Sequence, residues 1–328
     1  MSSLPAGVSV VICCYNSAHK LPPTLQHLAA QAVPHGLPWE LILVNNASTD
    51  NTPEAAANSW QQLGSPVPLR IIQEPNPGTD HARRAGVFAA QYSVILFCDD
   101  DNWLSPDYLQ TGWQFLENHP EVALVGGQAE AVADEPLPDW FYNMSPYYAA
   151  CAPAPHSKDL THFGIWSAGM MGRTAAIRKS LPAHIPLLNA GRVGSNTGFG
   201  EDGEICMRVA LQGYRIWYLE ALRMQHWMEP RRLTHAYREA MLQGVAGPAD
   251  VMAVYFRAQH LQQMTGPRKA AYTLLHLGKW CWYRLTRNHM LLPFSIDYVY
   301  FATGWPALSN PLNSRVMAYL QYLKQPVG

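Results

Sequence analysis

The sequence predicts an α/β fold, with a mostly parallel sheet flanked by helices and a helical extension at its C-terminal end. Short apolar segments of strand length alternate with segments of helical spacing over about the first 100 residues, and this order produces parallel sheets. Hydrophobic residues make up 48% of the 328 residues, enough for a substantial core. Beyond Leu233 the spacing of the apolar residues is that of helices.

Four apolar segments predict the buried strands of the first half, and helical spacing follows each of the first three. The strand segments are Val8–Cys14 and residues 41–44, 69–72 and 94–98. The helical segments are residues 21–32, 53–63 and about 80–90. Because ligands of open α/β sheets bind at the carboxyl ends of the strands, polar residues at these ends are candidate site residues.

Polar clusters follow these predicted strands. They are Tyr15 and Asn16 after the first strand, Asn45 and Asn46 after the second, and Asp99, Asp100 and Asp101 after the fourth. Three adjacent carboxylates repel one another, and burying them unpaired costs free energy. A divalent cation with an attached phosphate is the natural counter-charge. The alternative is a solvated acidic turn that caps the next helix, but the repeated placement at strand ends favours a binding site.

After about residue 107 the alternation of strand and helix segments is less regular. We predict a helix over Tyr108–Asn118, a strand over 122–127, a loop or short hairpin over 134–155, a small-residue strand over 165–172 and an edge or final strand over 214–219. Small residues in a strand, such as Gly169, allow a ligand or another backbone to come close. Glu201 and Asp202 precede a predicted helix over 204–212, and capping of that helix is the alternative to a chemical role.

Composition excludes several classes of protein. The 23 Lys and Arg residues nearly balance 24 Asp and Glu residues, and this disfavours nucleic-acid binding through a broad basic surface. Six scattered cysteines without a CxxC pair indicate reduced thiols in a cytoplasmic protein. We expect no signal peptide, because no basic region precedes the short apolar run near the N-terminus. We also expect no membrane-spanning helix, because no apolar stretch reaches roughly 18 to 20 uninterrupted residues.

Residues 8–16, 41–52, 74–90 and 94–104 together resemble the nucleotide-sugar half of a family 2 glycosyltransferase with the GT-A fold. Asp99 and Asp101 match the two acidic ends of the DXD motif of that family. The resemblance implies that these carboxylates hold Mn²⁺ or Mg²⁺ against the donor diphosphate, and that His226 completes the metal shell. Such a metal would neutralise charge on the departing nucleoside diphosphate.

Glu201 and Asp202 resemble the ED motif of the same family. The resemblance implies that Asp202 is the base that takes the proton of the acceptor hydroxyl during an in-line, inverting attack. Glu201 would orient the substrate or cap the helix. Trp166 and Gly169 lie in a segment similar to the one that lines the sugar and acceptor pocket of family members.

The resemblance also implies a set of donor-binding residues. They are Tyr15, Asn45, Asn46, Arg83, Asp99, Asp100 and Arg232. Arg83 matches an arginine that follows a glycine-rich turn, and Arg232 matches a basic residue on a loop that closes over the diphosphate. Many relatives carry an aspartate where this chain has Asn45, so a UDP-sugar is the expected donor but the motif does not fix the base.

The predicted organisation is a GT-A catalytic domain over residues 1–233 and a helical region over 234–328. Residues 1–107 would bind the nucleotide-sugar, and residues 108–233 the acceptor. The segment 269–286 mixes aromatic and basic residues, which fits either a helix packed on the catalytic domain or a helix lying on the inner face of the cell membrane. Acceptors of the family are often lipid-linked, which favours the membrane.

The sequence therefore predicts a metal-dependent, inverting transfer of a hexose-like sugar to a hydroxyl of a glycan or lipid-linked acceptor, in the synthesis of a cell-surface polysaccharide. One alternative is a sugar nucleotidyltransferase, which would need a glycine-rich, basic loop after the first strand. Residues 14–17 do not provide one. Another alternative is a catalytically silent nucleotide- or sugar-binding subunit. The joint presence of Asp99, Asp101 and Asp202 argues against it.

Overall fold

A computed structural model describes residues 4–189, 191, 200–244, 246–286 and 292–325 of the chain. Within these residues nine strands form one mixed sheet. The strands are β1 (Val8–Cys14), β2 (Trp39–Asn46), β3 (Leu69–Glu74), β4 (Val94–Asp99), β5 (Asn102–Leu104), β6 (Val122–Val132), β7 (Lys158–Asp159), β8 (Met171–Arg173) and β9 (Arg215–Trp227). Eight of them lie side by side in the order β3-β2-β1-β4-β8-β6-β9-β5, and β7 pairs with β9.

The first four strands form the predicted parallel sheet. Strand β1 lies between β2 and β4 and is parallel to both, and β3 extends the sheet beyond β2. The register places Cys14 beside Asn45 and Cys13 beside Asp99, so β2 and β4 end at the same edge of the sheet. Most residues of β1, β2 and β4 are buried whichever face they point to, which explains why their sequences are almost continuously apolar.

Helices cover both faces of this parallel sheet. Before β9 they are α1 (Leu21–Ala29), α2 (Thr52–Gln62), α3 (Thr79–Ala89), α4 (Tyr108–Asn118), α5 (Phe141–Met144), α6 (Thr174–Ser180) and α7 (Glu201–Leu211). Val11 belongs to the core cluster that contains Ala82 and Val87 of α3, whereas Val10 belongs to the cluster that contains Leu21 of α1. Successive side chains of β1 thus enter opposite layers, as the two-residue repeat of a strand requires.

Strand β8 changes the sheet from parallel to mixed. It lies between β4 and β6 and is antiparallel to both, whereas β6 and β9 are parallel. Strand β5 pairs with β9 in the antiparallel direction and places Asn102 opposite His226. This pairing brings the end of β9 beside the turn that follows β4.

Parts of the second half differ from the prediction. The expected strand over 165–172 is a strand only at Met171–Arg173, because Gly169 has a φ of 72° and the chain turns there. The expected loop or hairpin over 134–155 contains α5 and a 3₁₀ turn at Ser145–Tyr148. The expected edge or final strand is longer, since β9 continues to Trp227, and it lies inside the sheet between β6 and β5.

The helical C-terminal region packs on α7. Its helices are α8 (His235–Gly244), α9 (Ala246–Gln262), α10 (Gly266–Leu285), α11 (Leu292–Thr303) and α12 (Pro311–Leu323). The fully buried pair Arg208 and Glu204 of α7 has an N–O distance of 2.9 Å, and Tyr255 of α9 donates to the same carboxylate at 2.8 Å. Cys206 of α7 shares its core cluster with Tyr319 of α12. None of the helices in the described residues is both long and apolar enough to cross a membrane.

Candidate active site

A cavity of about 780 Å³ lies at the carboxyl ends of β1, β2 and β4, the edge where open α/β sheets bind ligands. We call it the strand-end cavity. It is lined by eleven of the thirteen residues singled out from the sequence, namely Tyr15, Asn46, Arg83, Asp99, Asp100, Asp101, Trp166, Glu201, Asp202, His226 and Arg232. The fold therefore gathers residues that are up to 217 positions apart, from Tyr15 to Arg232, around one space.

The other two residues, Asn45 and Gly169, are not among the residues that line the strand-end cavity. Asn45 is buried and donates from Nδ2 to Gln73 Oε1 at 2.7 Å, between β2 and β3. Gly169 accepts a hydrogen bond from the Tyr108 hydroxyl at 2.7 Å, and a Cβ at this position would lie 2.4 Å from that oxygen. These contacts hold Asn45 and Gly169 within the fold, while Asn45 Oδ1 is buried without a hydrogen-bond partner in the described residues.

Asn46 lines the strand-end cavity but its amide is engaged in holding a loop. Its Nδ2 donates to the carbonyl oxygens of Glu74 and Asn76 at 3.1 and 2.6 Å, and its Oδ1 accepts from Gly78 N at 2.8 Å. Because these bonds reach the end of β3 and the loop between β3 and α3, Asn46 sets the position of the glycine-rich turn that precedes Arg83.

Two of the three consecutive carboxylates have separate cationic partners. Asp99 is partly buried and lines the cavity. Asp100 forms an ion pair with Lys20 at 2.9 Å and accepts a short hydrogen bond from the Ser17 hydroxyl. Asp101 accepts from Arg232 Nη1 at 3.2 Å. Three adjacent carboxylates repel one another. Separate cationic partners for Asp100 and Asp101 compensate this repulsion.

Asn102 fixes the turn that separates these acids. Its Oδ1 accepts from the Asp99 backbone N–H at 3.1 Å, and its Nδ2 donates to Asp101 Oδ1 at 3.3 Å. Asn102 is fully buried at the start of β5, so the pairing of β5 with β9 holds it in place. The acidic turn is thus part of the sheet and is not a solvated cap.

Lys20 is a cavity residue that the sequence analysis missed. It lies one position before α1, lines the cavity, and is mostly buried against Asp100. Burial by itself lowers the pKa of Lys20, but the charges of Asp100 and Asp101 outweigh burial and raise it. Burial raises the pKa of Asp100, which Lys20 opposes. The only sequence signal was a basic residue a few positions after a strand end.

Asp101, His226 and Arg232 form a buried polar cluster. His226 Nε2 lies 3.3 Å from Asp101 Oδ1 and 3.2 Å from Arg232 Nη1. Burial favours protonation of Asp101, but His226, Arg232 and Lys20 outweigh it and hold the pKa of this carboxyl well below its usual range. The Arg232 guanidinium also lies over the Tyr148 ring, 5.6 Å from its centroid.

The cluster offers part of a metal site. Carboxylate oxygen and imidazole nitrogen are suitable ligands for Mn²⁺, and Asp101 and His226 converge on one cationic group, the Arg232 guanidinium. In addition, His226 Nδ1 is buried and has no hydrogen-bond partner within the described residues. Those residues contain no ready-made group of three His, Cys, Asp or Glu side chains for a metal. Asp101 and His226 are thus two donors of the kind that a divalent cation binds, and the Arg232 guanidinium occupies the position between them.

Arg83 and Glu201 form a further buried ion pair in the lining of the cavity. Arg83 Nη1 donates to Glu201 Oε1 at 2.6 Å, and Nη2 donates to the Ser167 hydroxyl at 2.6 Å. Thr79 also donates to Glu201, at 3.1 Å. Burial lowers the pKa of Arg83, but the charges of Glu201 and Asp99 outweigh burial and raise it. Glu201 is thus occupied with positioning Arg83 and the first turn of α7.

Asp202 is the carboxylate of the ED pair that is available to a ligand. It lines the cavity beside Trp166, while Oδ1 accepts from Gly203 N at 2.8 Å and Oδ2 from Ser167 N at 3.3 Å. Burial, with the charge of Glu201 adding to it, raises the pKa of Asp202 against the effect of Arg83. A carboxylate with a raised pKa holds a proton more readily than an ordinary aspartate, which suits a general base.

Comparison with known proteins identifies the family. The family model "Glycosyl transferase family 2" matches residues 9–181, more than half of the chain. The uncharacterized glycosyltransferase YwdF of Bacillus subtilis is 33% identical over 129 residues, which are 39% of this chain and 44% of YwdF. The dodecaprenyl-phosphate galacturonate synthase of Rhizobium johnstonii is 28% identical over 141 residues, 42% of this chain and 41% of that protein. The chain thus spans less than half the length of these curated relatives.

A solved structure supports the predicted fold. Residues 1–349 of S. aureus TarS, in complex with UDP-GlcNAc, superpose with a TM-score of 0.54 at 16% identity. The match covers 97% of this chain and 87% of that one. At such low identity the likeness concerns the fold, and it confirms the predicted GT-A arrangement with its helical C-terminal region. Because the family model matches more than half of the chain, the chain belongs to glycosyl transferase family 2.

Proposed function

We propose that the enzyme transfers a sugar from a nucleotide-diphosphate sugar to a hydroxyl of a glycan or lipid-linked acceptor, with inversion. One observation carries the proposal: the strand-end cavity is lined by two parts, which are cationic groups with the acidic turn, and Asp202. The two parts match the two needs of the reaction, which are stabilisation of a leaving diphosphate and removal of a proton from the acceptor.

The donor diphosphate would bind beside Lys20, Arg83 and Arg232, which all line the strand-end cavity. Arg83 and Arg232 can present planar N–H donors to phosphate oxygens. A UDP-sugar is the first candidate because the TarS structure of similar fold contains UDP-GlcNAc. Tyr15, which is half exposed at the cavity, would contact the nucleotide.

Asp99, Asp101 and His226 are the residues that would hold Mn²⁺ or Mg²⁺. When bound, a divalent cation supplies Lewis-acid neutralisation of the charge that develops on the departing nucleoside diphosphate. Arg232 would leave its contact with Asp101 and His226 and turn to the phosphate oxygens. Asp100 keeps Lys20 at the cavity through their ion pair of 2.9 Å.

Asp202 would act as the base. The acceptor oxygen attacks the anomeric carbon of the donor while its proton passes to Asp202, and the bond from that carbon to the diphosphate oxygen breaks. The Ser167 and Gly203 N–H groups orient the carboxylate, and the Arg83–Glu201 pair fixes the helix turn on which Asp202 lies. Trp166, which lines the same cavity, offers a ring on which a sugar can stack.

The proposed acceptor is a hydroxyl of a glycan or of a lipid-linked molecule. The name of the Rhizobium relative, a dodecaprenyl-phosphate galacturonate synthase, supports a lipid-linked acceptor. We place the enzyme in the cytoplasm, in contact with the inner face of the cell membrane, in the synthesis of a cell-surface polysaccharide. Residues 1–233 would form the catalytic domain and residues 234–328 a helical region that supports it.

Thermal unfolding tests the donor site. UDP, GDP, dTDP and CMP are added separately, each with and without Mn²⁺. A ligand at about 100 times its Kd stabilises the fold by roughly 2.7 kcal/mol, which shifts the melting temperature measurably. We expect a metal-dependent shift with one diphosphate, UDP first. If none of the four nucleotides shifts the melting temperature, the proposed donor site is wrong.

Turnover of the Asp202→Asn variant tests the base. We expect about a 100-fold to 10,000-fold loss of transfer, with nucleotide binding retained. Asp139→Asn, an exposed carboxylate that does not line the cavity, is the matched control and should keep wild-type activity. Full transfer activity in Asp202→Asn would refute the base assignment while leaving the donor site intact.

A further inference from the structure

Helix α10 carries a large apolar surface in solvent. Its side chains Leu274, Leu275, Trp282 and Leu285 are 68%, 52%, 63% and 80% exposed. Exposed apolar residues of soluble proteins usually occur singly, whereas larger apolar patches rimmed by polar residues mark interaction sites. Four such residues on one helix therefore need a partner.

These residues lie on one side of the helix. Leu274, Gly278, Cys281 and Leu285 follow one another at intervals of four, three and four residues, the spacing of a single helical face. Leu275 and Trp282 are seven residues apart and border the same side, and Cys281 is also exposed. We call this set of six residues the α10 face.

The opposite side of α10 is packed against the protein. His276 is buried and lies with its ring centroid 4.4 Å from that of Tyr298 on α11. Trp280 contacts Trp305 with ring centroids 6.0 Å apart. These contacts fix the rotation of the helix, so the α10 face points away from the core of the enzyme.

The charges of α10 are all positive. Its 20 residues contain Arg268, Lys269, Lys279 and Arg284 and no Asp or Glu, although the whole chain has a net charge of −1. By helical spacing, Lys279 borders the α10 face on one side and Arg284 on the other. Arg284 also lies over Trp280, 5.5 Å from the ring centroid. Long basic side chains at both borders can keep their charges in a lipid head-group layer while their stems stay apolar.

From this arrangement we infer that the α10 face docks on an anionic lipid bilayer, with the helix lying flat in the head-group region. An apolar face with an interfacial Trp, bordered by Lys and Arg, is the pattern of helices that lie in the membrane interface. Two cations in the second half of α10 oppose a spanning orientation, in agreement with the hydropathy of the described helices. The inference rests on the membrane location that is part of the proposed function. The α10 face would be the surface through which the protein contacts that membrane.

A second copy of the chain is a poorer occupant of the α10 face. A two-fold interface places the same patch of both subunits together, so the cations of one α10 would face those of the other. Anionic lipid complements those charges instead, and each Lys or Arg near such a surface adds to the attraction.

Vesicle flotation tests the inference with the full chain. The probes are vesicles of phosphatidylcholine alone and vesicles of phosphatidylcholine with phosphatidylglycerol, without donor or acceptor. We expect the wild type to float with the anionic vesicles and to be released by high salt. Lys279→Glu with Arg284→Glu should lower the partition coefficient at least about tenfold, because two attractive charges become repulsive. Leu274→Glu with Leu285→Glu should abolish flotation.

The substituted side chains are exposed, so we expect the variants to fold. Melting curves of each variant check this. The matched control is Phe163→Glu, which replaces another apolar side chain that is 75% exposed but lies outside α10. This control should float like the wild type. The inference is overturned if the wild type ignores anionic vesicles, if the α10 variants float undiminished, or if the variants change only the oligomeric state. Because flotation needs no nucleotide, failure here is distinct from failure of the proposed transfer reaction.

Discussion

Arg232 and Asp101, 131 positions apart in the chain, form a buried ion pair with an N–O distance of 3.2 Å. The pair joins the 3₁₀ turn Pro230–Leu233, which follows β9, to the acidic turn after β4. Because His226 also contacts the same guanidinium nitrogen, Arg232 lies where Asp101 and His226 could share another cation. The structure thus connects the residue expected to close over the diphosphate with the residues expected to bind the metal.

This contact predicts competition between Arg232 and a divalent cation. In the Arg232→Met variant, Asp101 and His226 no longer have the guanidinium as a partner, so Mn²⁺ binds without displacing it. We expect Mn²⁺ affinity in the absence of nucleotide to rise about tenfold, or roughly 1.4 kcal/mol. Electron paramagnetic resonance of free Mn²⁺ measures this without any transfer reaction.

The neighbouring Arg231 provides the control for this experiment. It also lines the cavity but pairs with Glu229 at 2.6 Å and does not contact Asp101. Arg231→Met removes the same charge from the same turn and should change Mn²⁺ affinity much less. Equal effects of the two variants would show a general electrostatic effect and exclude specific competition.

The raised pKa of Asp202 predicts the pH dependence of transfer. A base must be deprotonated, so activity is present above its pKa and is lost as pH falls through it. Because burial and the charge of Glu201 raise this pKa, the acidic limb of kcat/KM should lie above about pH 3.9, the usual value for Asp. A pH profile with a saturating metal concentration measures the limb. A limb at or below the ordinary carboxyl range would contradict the role of Asp202.

The parallel half of the fold was predictable because its strands are buried on both faces. Val8–Cys14 was predicted with the bounds that the structure has, since a continuous apolar run ends at a polar cluster. The short strands β5 and β7 escaped detection because pairing with neighbours, and not local composition, makes them strands. Only the end of the predicted small-residue strand is a strand, because Gly169 adopts a positive φ that its sequence context does not reveal.

The sequence predicted which clusters of residues lie at the candidate site. It did not predict which side chains of each cluster point toward the cavity. Asn45 and Asn46 are adjacent on β2, and the alternation of a strand sends only Asn46 toward the cavity. Lys20 was missed because its importance depends on Asp100, which lies 80 positions later and reaches it only through the pairing of β1 with β4. Such contacts follow from register, which sequence periodicity does not supply.

The ion pair of Lys20 and Asp100 predicts energetic coupling between the two residues. Removing one partner leaves a buried charge without compensation, so Lys20→Met should cost about 3 to 5 kcal/mol of stability. In the double variant with Asp100→Asn, the uncompensated charge is also removed, and part of this loss should be recovered. Urea unfolding of the four proteins gives the coupling energy, expected at about 1 kcal/mol or more.

Lys158→Met is the control for this cycle, because Lys158 is exposed. It should change the free energy of unfolding by no more than about 0.5 kcal/mol. Additive effects of Lys20→Met and Asp100→Asn would mean that the ion pair makes no net contribution, and Lys20 would then be present in the cavity for ligand binding alone.

Substitution of Gly169 can show whether this residue acts in the fold or in substrate binding. A Cβ at this position would lie 2.4 Å from the Tyr108 hydroxyl oxygen, and a φ of 72° strains any other residue. Gly169→Ala should therefore destabilise the fold by about 1 to 2 kcal/mol through strain, with a further cost of about 0.5 to 1.5 kcal/mol if the hydrogen bond from Tyr108 is lost. Thermal unfolding measures the sum.

A matched variant separates the two costs. Gly213 has a φ of 95°, but a Cβ there would meet nothing within 4 Å, so Gly213→Ala pays for strain alone. The difference between the two variants then reports the contact with Tyr108, and Tyr108→Phe combined with Gly169→Ala should reduce it. Because Gly169 does not line the strand-end cavity, the KM for the donor should stay unchanged where Gly169→Ala is folded. A normal melting temperature with a raised KM would instead place Gly169 in the substrate site, as the sequence resemblance implied.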